Sequence, residues 1–276
     1  MAILVQAGYA TGRQRWRRWW VGARAAWVFG WGTRLCKPPG EYIDSMFRQL
    51  IQRASSAMPG QCAVCHAWPT APVCEACVVR FAQPASRCQT CALPVPAGIT
   101  CCGQCLRKPP AVDACLAAVA YAYPWSGLIT HFKFNSDPGW ASTFATLLRS
   151  TPWVEPALED ADLVLPLPLS RQRLQTRGFN QALALARALK PDKADAHVLL
   201  RIKDTPAQSS LNREERLASV KDAFAVDPLL APRIKGKRLV LVDDVMTSGA
   251  SLYAAAKVLR SAGAAHITGM VIARTE

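Results

Sequence analysis

The sequence predicts an α/β protein built on a parallel sheet and preceded by a small cysteine-rich module. Three observations carry this expectation. Short, continuous apolar runs at 163–167, 239–242 and 266–273 have the character of strands buried on both faces. Stretches with helical spacing separate them, and alternating strand and helix is the pattern of a parallel sheet. Ten of the eleven cysteines lie between 62 and 115, and they include four C-x-x-C pairs.

Composition narrows the choices. At 276 residues the chain is long enough for one large or two modest domains. A hydrophobic content of 51% excludes global disorder. The formal charge of +14 points to a polyanionic partner, but it is unevenly placed. Residues 1–45 carry seven Arg and Lys against Glu41 and Asp44. Eight metal-bound thiolates would cancel more of the charge, so the folded part is expected to be only mildly basic.

Residues 1–45 also hold five of the nine tryptophans, scattered among arginines and glycines. Arg24 and Arg34 interrupt the best apolar run, so no membrane span is expected there. No uninterrupted signal-peptide core is visible either, and a cytoplasmic location is expected. A basic, Trp-rich surface segment is one reading. The preferred one places the natural start at Met46, where Met46, Phe47, Leu50 and Ile51 open an amphipathic stretch. The expected organisation is therefore 1–45 outside the fold, 46–108 as the cysteine module and 111–276 as the α/β domain.

The four pairs are Cys62/Cys65, Cys74/Cys77, Cys88/Cys91 and Cys102/Cys105. Two-residue spacing lets both sulfurs of a knuckle face one ion, and eight thiolates suffice for two tetrahedral four-cysteine zinc sites. Disulfides would need an oxidising compartment, and the close repeated spacing does not favour them. An iron–sulfur cluster fits the same ligand set. The simplest pairing takes the cysteines in chain order, although an interleaved one fits the same spacings. Cys101 is read as spare, His66 as a surface residue, and Cys36 and Cys115 as free thiols. The block has few aliphatic residues, so metal binding would supply its folding free energy, about 10–16 kcal/mol per structural site in zinc-finger peptides.

Pro109-Pro110 marks a linker. A strand is expected over 112–123 and a short helix over 125–134, with 143–148 continuing a helix. Lys133 is placed to reach a phosphate or to serve as a helix-end cation. The strand at 163–167 leads into Arg171, Arg173 and Arg177. Cations at a helix N-terminus oppose its dipole, so these arginines make better sense around a bound anion. Residues 201–221 combine Pro, Ser-Ser and dense charge and read as a mobile loop, with a helix from Asn212. Arg201, Lys203, Gln208, Arg213 and Arg216 are its candidate ligand contacts. A short strand at 224–226 and a loop at 228–237 follow.

The stretch 239–251, LVLVDDVMTSGAS, carries the most chemistry. A buried strand runs into Asp243 and Asp244, then into a turn of Thr247, Ser248, Gly249, Ala250 and Ser251 that opens a helix. The free N–H groups of a helix start bind anions, and two acids on the strand end can accept from hydroxyls or hold a hydrated Mg²⁺. A ribose 5-phosphate fits that arrangement. The plainer alternative is a Rossmann-like strand whose acids only cap a helix.

These thirteen residues resemble the phosphoribosyl pyrophosphate (PRPP) signature of type I phosphoribosyltransferases, without a gap. The resemblance implies that Asp243 and Asp244 bind the ribose hydroxyls and that Thr247, Ser248, Gly249 and Ser251 wrap the 5-phosphate. It also implies a pyrophosphate turn after the 163–167 strand, often with a strained peptide bond, and a lid over 201–221. Cys101-Cys102-Gly103-Gln104-Cys105-Leu106-Arg107-Lys108-Pro109-Pro110 looks like the hinge between a double zinc ribbon and the transferase domain in the ComF family, the ComFC- and GntX-like proteins. Arg177-Gly178-Phe179-Asn180-Gln181 resembles that family's signature and implies a pyrophosphate contact for Arg177. Residues from about 60 to 274 match the family's layout. The resemblance implies a type I phosphoribosyltransferase fold with PRPP and Mg²⁺, a base-recognising hood replaced by the zinc module, and a link to DNA uptake and other competence proteins. Three functions fit: a phosphoribosyltransferase of open acceptor, a non-catalytic single-stranded-DNA-binding competence factor, and a PRPP or nucleotide sensor.

Overall fold

In chain order the first helices among the described residues are two short ones, α1 (Glu75–Phe81) and α2 (Gly103–Arg107), each starting directly after a cysteine. Then come β1 (Ala114–Ala120), α3 (Trp125–Phe134), α4 (Trp140–Arg149), α5 (Val154–Asp160) and β2 (Leu163–Pro166). The remainder is α6 (Arg171–Arg177), α7 (Gln181–Leu189), β3 (Leu199–Arg201), β4 (Phe224–Val226), β5 (Arg238–Met246), α8 (Ala250–Ser261) and β6 (His266–Arg274). This is a computed structural model, and it describes residues 60–276 apart from 136, 204–219 and 221. The segment 1–45, the expected start at Met46, and Gln208, Arg213 and Arg216 lie outside the described residues.

Four strands form one all-parallel sheet in the order β1-β6-β5-β2. The central pair is the longest, running from Arg238↔His266 to Met246↔Arg274. Both faces are covered, which explains why β5 and β6 read as continuous apolar runs. On one face α3, α4, α5 and α7 bury Phe132, Phe144, Leu148, Leu158, Leu185 and Leu189. On the other, α8 buries Leu252, Ala255, Ala256 and Leu259, the i, i+3, i+4, i+7 stripe of an amphipathic helix. Fully burying each of its two leucines contributes about 1.5–3 kcal/mol.

The cysteine block is divided between these two cores. Cys62 and Cys77 pack with the α3–α7 face, whereas Cys88, Cys91 and Cys105 pack with the α8 face. The Trp125 indole donates to the Phe81 carbonyl at 2.8 Å, tying α1 to α3. The described residues from 60 to 276 thus belong to one compact unit.

The connections after β2 and β5 leave on opposite faces, since α7 packs on one core and α8 on the other. β2 and β5 are neighbours, so a crevice opens between their C-terminal ends, where ligands of open α/β sheets bind.

Several elements differ from expectation. β1 is shorter than 112–123, and residues 143–148 belong to a separate helix, because the chain breaks after Phe134 and restarts beyond Pro138 and Gly139. β5 continues through Asp243 and Asp244 to Met246 instead of ending at Val242, since β6 pairs with it along that whole length. The 228–237 loop contains a 3₁₀ turn, Ala231–Ile234. Helix α5 and strand β3 had no strong sequence signal. β3 pairs antiparallel with β4 as a second, two-stranded sheet flanking the 202–223 connection. Both described cis peptides precede proline, Trp68–Pro69 and Tyr123–Pro124; the turn after β2 holds none.

Candidate functional site

The crevice holds a cavity of about 580 Å³ at the ends of β2 and β5. Its lining includes Lys133, Arg173, Arg177, Asp243, Asp244 and the loop Thr247–Gly249–Ser251. Successive residues of a strand point to opposite faces, so the two acids meet different neighbours although both line the cavity. Asp244 is buried and meets Lys133 Nζ at 2.9 Å and Arg177 at 3.8 Å. Asp243 accepts from the Asp244 backbone N–H at 2.9 Å. Burial, and then the neighbouring Asp244 charge, push its carboxyl up to about 7, against the opposing pull of that N–H, Lys133 and Arg177.

Arg177-Gly178-Phe179-Asn180-Gln181 folds into a corner in which each residue has a task. Gly178 closes α6 in the left-handed region (φ 76°), which favours glycine. Asn180 caps α7 by accepting from the Ala182 and Leu183 N–H groups, and its amide donates to the Leu167 carbonyl at the end of β2. Phe179 packs edge-on against Phe132. Gln181 is buried; its oxygen accepts from Arg177 at 3.0 Å and its amide donates to the Lys133 carbonyl at 3.4 Å. The Arg177 guanidinium also lies over the Phe134 ring at 5.3 Å. Arg177 therefore sits in the last turn of α6, where a cation suits the dipole. The dipole objection raised from sequence applies only to Arg171 and Arg173 in the first turn. Sequence reasoning missed Gln181 and the Lys133–Asp244 pair, because both join residues from different elements.

The turn after β5 is built for close approach. Gly249 has φ 77° and precedes α8; a Cβ there would lie 2.6 Å from Met246 Cε and from the Tyr253 ring. Gly249 supplies no side-chain cap to α8, and Ala250, Ser251 and Leu252 at the start of that helix line the cavity. Thr247 is exposed and Ser251 half-buried, whereas Ser248 is buried and its hydroxyl accepts from Ala250 N–H at 3.4 Å. Of the lid candidates, Arg201 donates to the Lys203 carbonyl and stacks on Phe224, and Lys203 approaches Asp222 at 4.0 Å.

The eight expected cysteines gather into two groups, Cys62/Cys65/Cys74/Cys77 and Cys88/Cys91/Cys102/Cys105, each with its sulfurs within 4.8 Å of one another. The sulfurs lie 3.9 Å apart in Cys62–Cys77, 3.5 Å in Cys65–Cys74 and 3.7 Å in Cys91–Cys102. A tetrahedron with metal–sulfur bonds of about 2.3 Å has edges of about 3.8 Å, so each group could hold a metal ion. Burial pushes the Cys62 thiol up, but backbone N–H groups of Cys65, Cys74 and Val64 outweigh it and hold it at about 6; Cys88 is held at about 6 in the same way. Burial and the neighbouring thiols push Cys77 up to about 12. Four such sulfurs cannot all ionise unless a cation lies among them. Cys101 stands outside both groups, beside Thr90 Oγ1. Cys115 is buried in β1, and burial pushes its thiol up to about 12.

A parallel sheet with an acidic strand end and a glycine turn opening a helix at the switch point defines a phosphoribosyltransferase domain. Comparison agrees: the phosphoribosyl transferase domain family matches residues 174–275, a span that includes Arg177, Asp243, Asp244 and the loop. The chain belongs to the ComF family. It is 30% identical over 233 residues to the DNA utilization protein YhgH of Escherichia coli (strain K12), covering 79% of this chain and 98% of that protein. It is 31% identical to Competence protein F of Haemophilus influenzae (63% and 78% covered) and 33% identical to Competence protein ComFC of Bacillus subtilis (53% and 58% covered). No helix among the described residues is long and apolar enough to cross a membrane.

Proposed function

We propose that the protein binds PRPP with Mg²⁺ at the β2/β5 crevice and transfers its phosphoribosyl group to an acceptor in a pathway of DNA uptake or use. One observation carries the reading: Asp243, Asp244, Lys133, Arg177 and Thr247, Gly249 and Ser251 of the turn line a single cavity, with Ser248 buried behind it. The turn receives the 5-phosphate on the first N–H groups of α8. Asp243 and Asp244 accept from the ribose hydroxyls. Lys133 and Arg177 release Asp244 in part and turn to the pyrophosphate, the group that gains charge as the anomeric bond breaks. Mg²⁺, when bound, shields the charge of the pyrophosphate and ribose oxygens. Zinc is the ion proposed for both tetracysteine groups, with the thiols kept reduced in the cytoplasm.

A second reading, binding of single-stranded DNA with other competence proteins, is favoured by the names of the relatives and by exposed aromatics at Trp68, Tyr123 and Trp153. Calorimetry with PRPP and Mg²⁺ on the wild type, Asp243→Ala and Asp244→Ala tests the first reading. Heat from the wild type alone supports it, and no binding by the wild type defeats it. Release of pyrophosphate with candidate acceptors separates a transferase from a sensor. A salt-dependent shift of labelled single-stranded DNA that is lost on deleting residues 60–107 would support the second reading.

A further inference from the structure

One buried charge has no part in the scheme above. Arg274 closes β6 between β1 and β5, opposite Ala120 and Met246, and is 5% exposed. Among the described residues it meets no carboxylate within ion-pair distance. Its guanidinium donates instead to main-chain carbonyls from two places. Nε donates to Cys91 at 3.0 Å, in the second knuckle group. Nη1 donates to Met246 at 3.1 Å and to Thr247, where the phosphate turn begins. Further contacts to the carbonyl and hydroxyl of Thr275 hold the same nitrogen.

An arginine buried this way needs a compensating field, because a charge taken out of water without a counter-ion is costly. Four thiolates around a divalent ion keep net negative charge, and Cys88, Cys91 and Cys105 share a hydrophobic core with Met246, Leu252 and Tyr253. An occupied second centre would therefore supply the field and also fix the Cys91 carbonyl. Thr247 is held from the other end of the same planar fork, whose five donors have a rigid geometry that lysine lacks.

We propose that Arg274 is a positioning residue that couples metal occupancy of the Cys88/Cys91/Cys102/Cys105 centre to the order of the phosphate turn at 247–251. Among the described residues the first centre, whose Cys62 and Cys77 pack in the other core, has no such link. Occupancy of the second centre tightens the turn, and a phosphate-bearing ligand on the turn slows loss of that metal, since coupling between two sites is reciprocal. Only the ligand arm rests on the PRPP reading.

The test uses the full chain with both centres zinc-loaded, as wild type, Arg274→Lys and Arg274→Gln. Zinc release to a chromogenic chelator is followed, and Cys102→Ser and Cys65→Ser identify the phase belonging to each centre. Amide exchange over 247–252 is measured on the same samples. The lysine variant keeps the charge and guards against simple loss of folding. The expected result is faster release from the second centre alone, by about fivefold or more, together with faster exchange at 247–252. In the wild type, PRPP with Mg²⁺ slows second-centre release, and in Arg274→Lys this effect disappears. Equal acceleration at both centres, a change in only one of the two readouts, or no change at all would overturn the coupling. Failure of PRPP to bind the wild type would instead defeat the functional reading, leaving release and exchange to judge the bridge.

Discussion

Asp243→Asn tests the electrostatics of the site directly. The folded protein holds this carboxyl near 7, against an ordinary 3.8, through burial and the Asp244 charge. The sign follows from proton binding. Between those values the folded chain keeps a proton that the unfolded chain has lost, so Asp243 lowers stability as pH rises, and the loss levels off above 7. At about 1.4 kcal/mol per unit, the full displacement gives a ceiling of about 4 kcal/mol. Relaxation and water around the half-buried carboxylate reduce this to about 1–2 kcal/mol. Asparagine has the shape of the neutral acid and carries no charge. In urea unfolding of the zinc-loaded proteins, Asp243→Asn should therefore exceed the wild type at pH 8.5, with the margin shrinking towards pH 5.5. A margin independent of pH, or one that grows as pH falls, would refute the reasoning. The same variant should lose PRPP affinity, because an amide cannot replace a carboxylate as a double acceptor for hydroxyls.

Other expectations follow from the same geometry. If PRPP with Mg²⁺ draws Asp243 into its ionised form, binding near pH 7 releases a fraction of a proton; calorimetric heats should then vary with the ionisation enthalpy of the buffer, and heats independent of buffer would count against it. Lys133→Ala removes one of the cations that hold the Asp243 carboxyl down, so the pH midpoint of the stability difference from Asp243→Asn should move up when both are compared in that background. Gly249→Ala forces a Cβ to 2.6 Å from Met246 and Tyr253 at φ 77°, and should weaken PRPP binding at least about tenfold while changing zinc content little. Cys62→Ser and Cys105→Ser should each lower bound zinc by one equivalent, whereas Cys101→Ser should leave it unchanged; equal loss in all three would show that the groups are wrongly drawn.

Much of this protein was legible along the chain because its signals are local. Continuous apolar runs mark strands covered on both faces, and 239–251 places acids, turn and helix start within thirteen residues, so neighbours in sequence are neighbours in the site. Two-residue cysteine spacing likewise brings each knuckle's sulfurs together before any tertiary contact forms. The family resemblance rested on such stretches, and the comparisons bear it out. What joins distant elements could not be read this way. Lys133 on α3 meets Asp244 on β5, Gln181 links Arg177 to the end of α3, and Arg274 ties Cys91 to Thr247. Those pairings exist because the sheet order β1-β6-β5-β2 brings far-apart segments side by side. The short strand β3 is a similar case, since three residues carry little periodicity and the strand is defined by its partner β4. The sequence alone placed the four strands of the parallel sheet, the eight thiols and the acidic strand end with its glycine turn, which are local chemistry. Only the tertiary structure decided that the two tetracysteine groups pack into opposite cores, and that one of them reaches the turn through a buried arginine, because burial and long-range hydrogen bonding belong to the assembled fold.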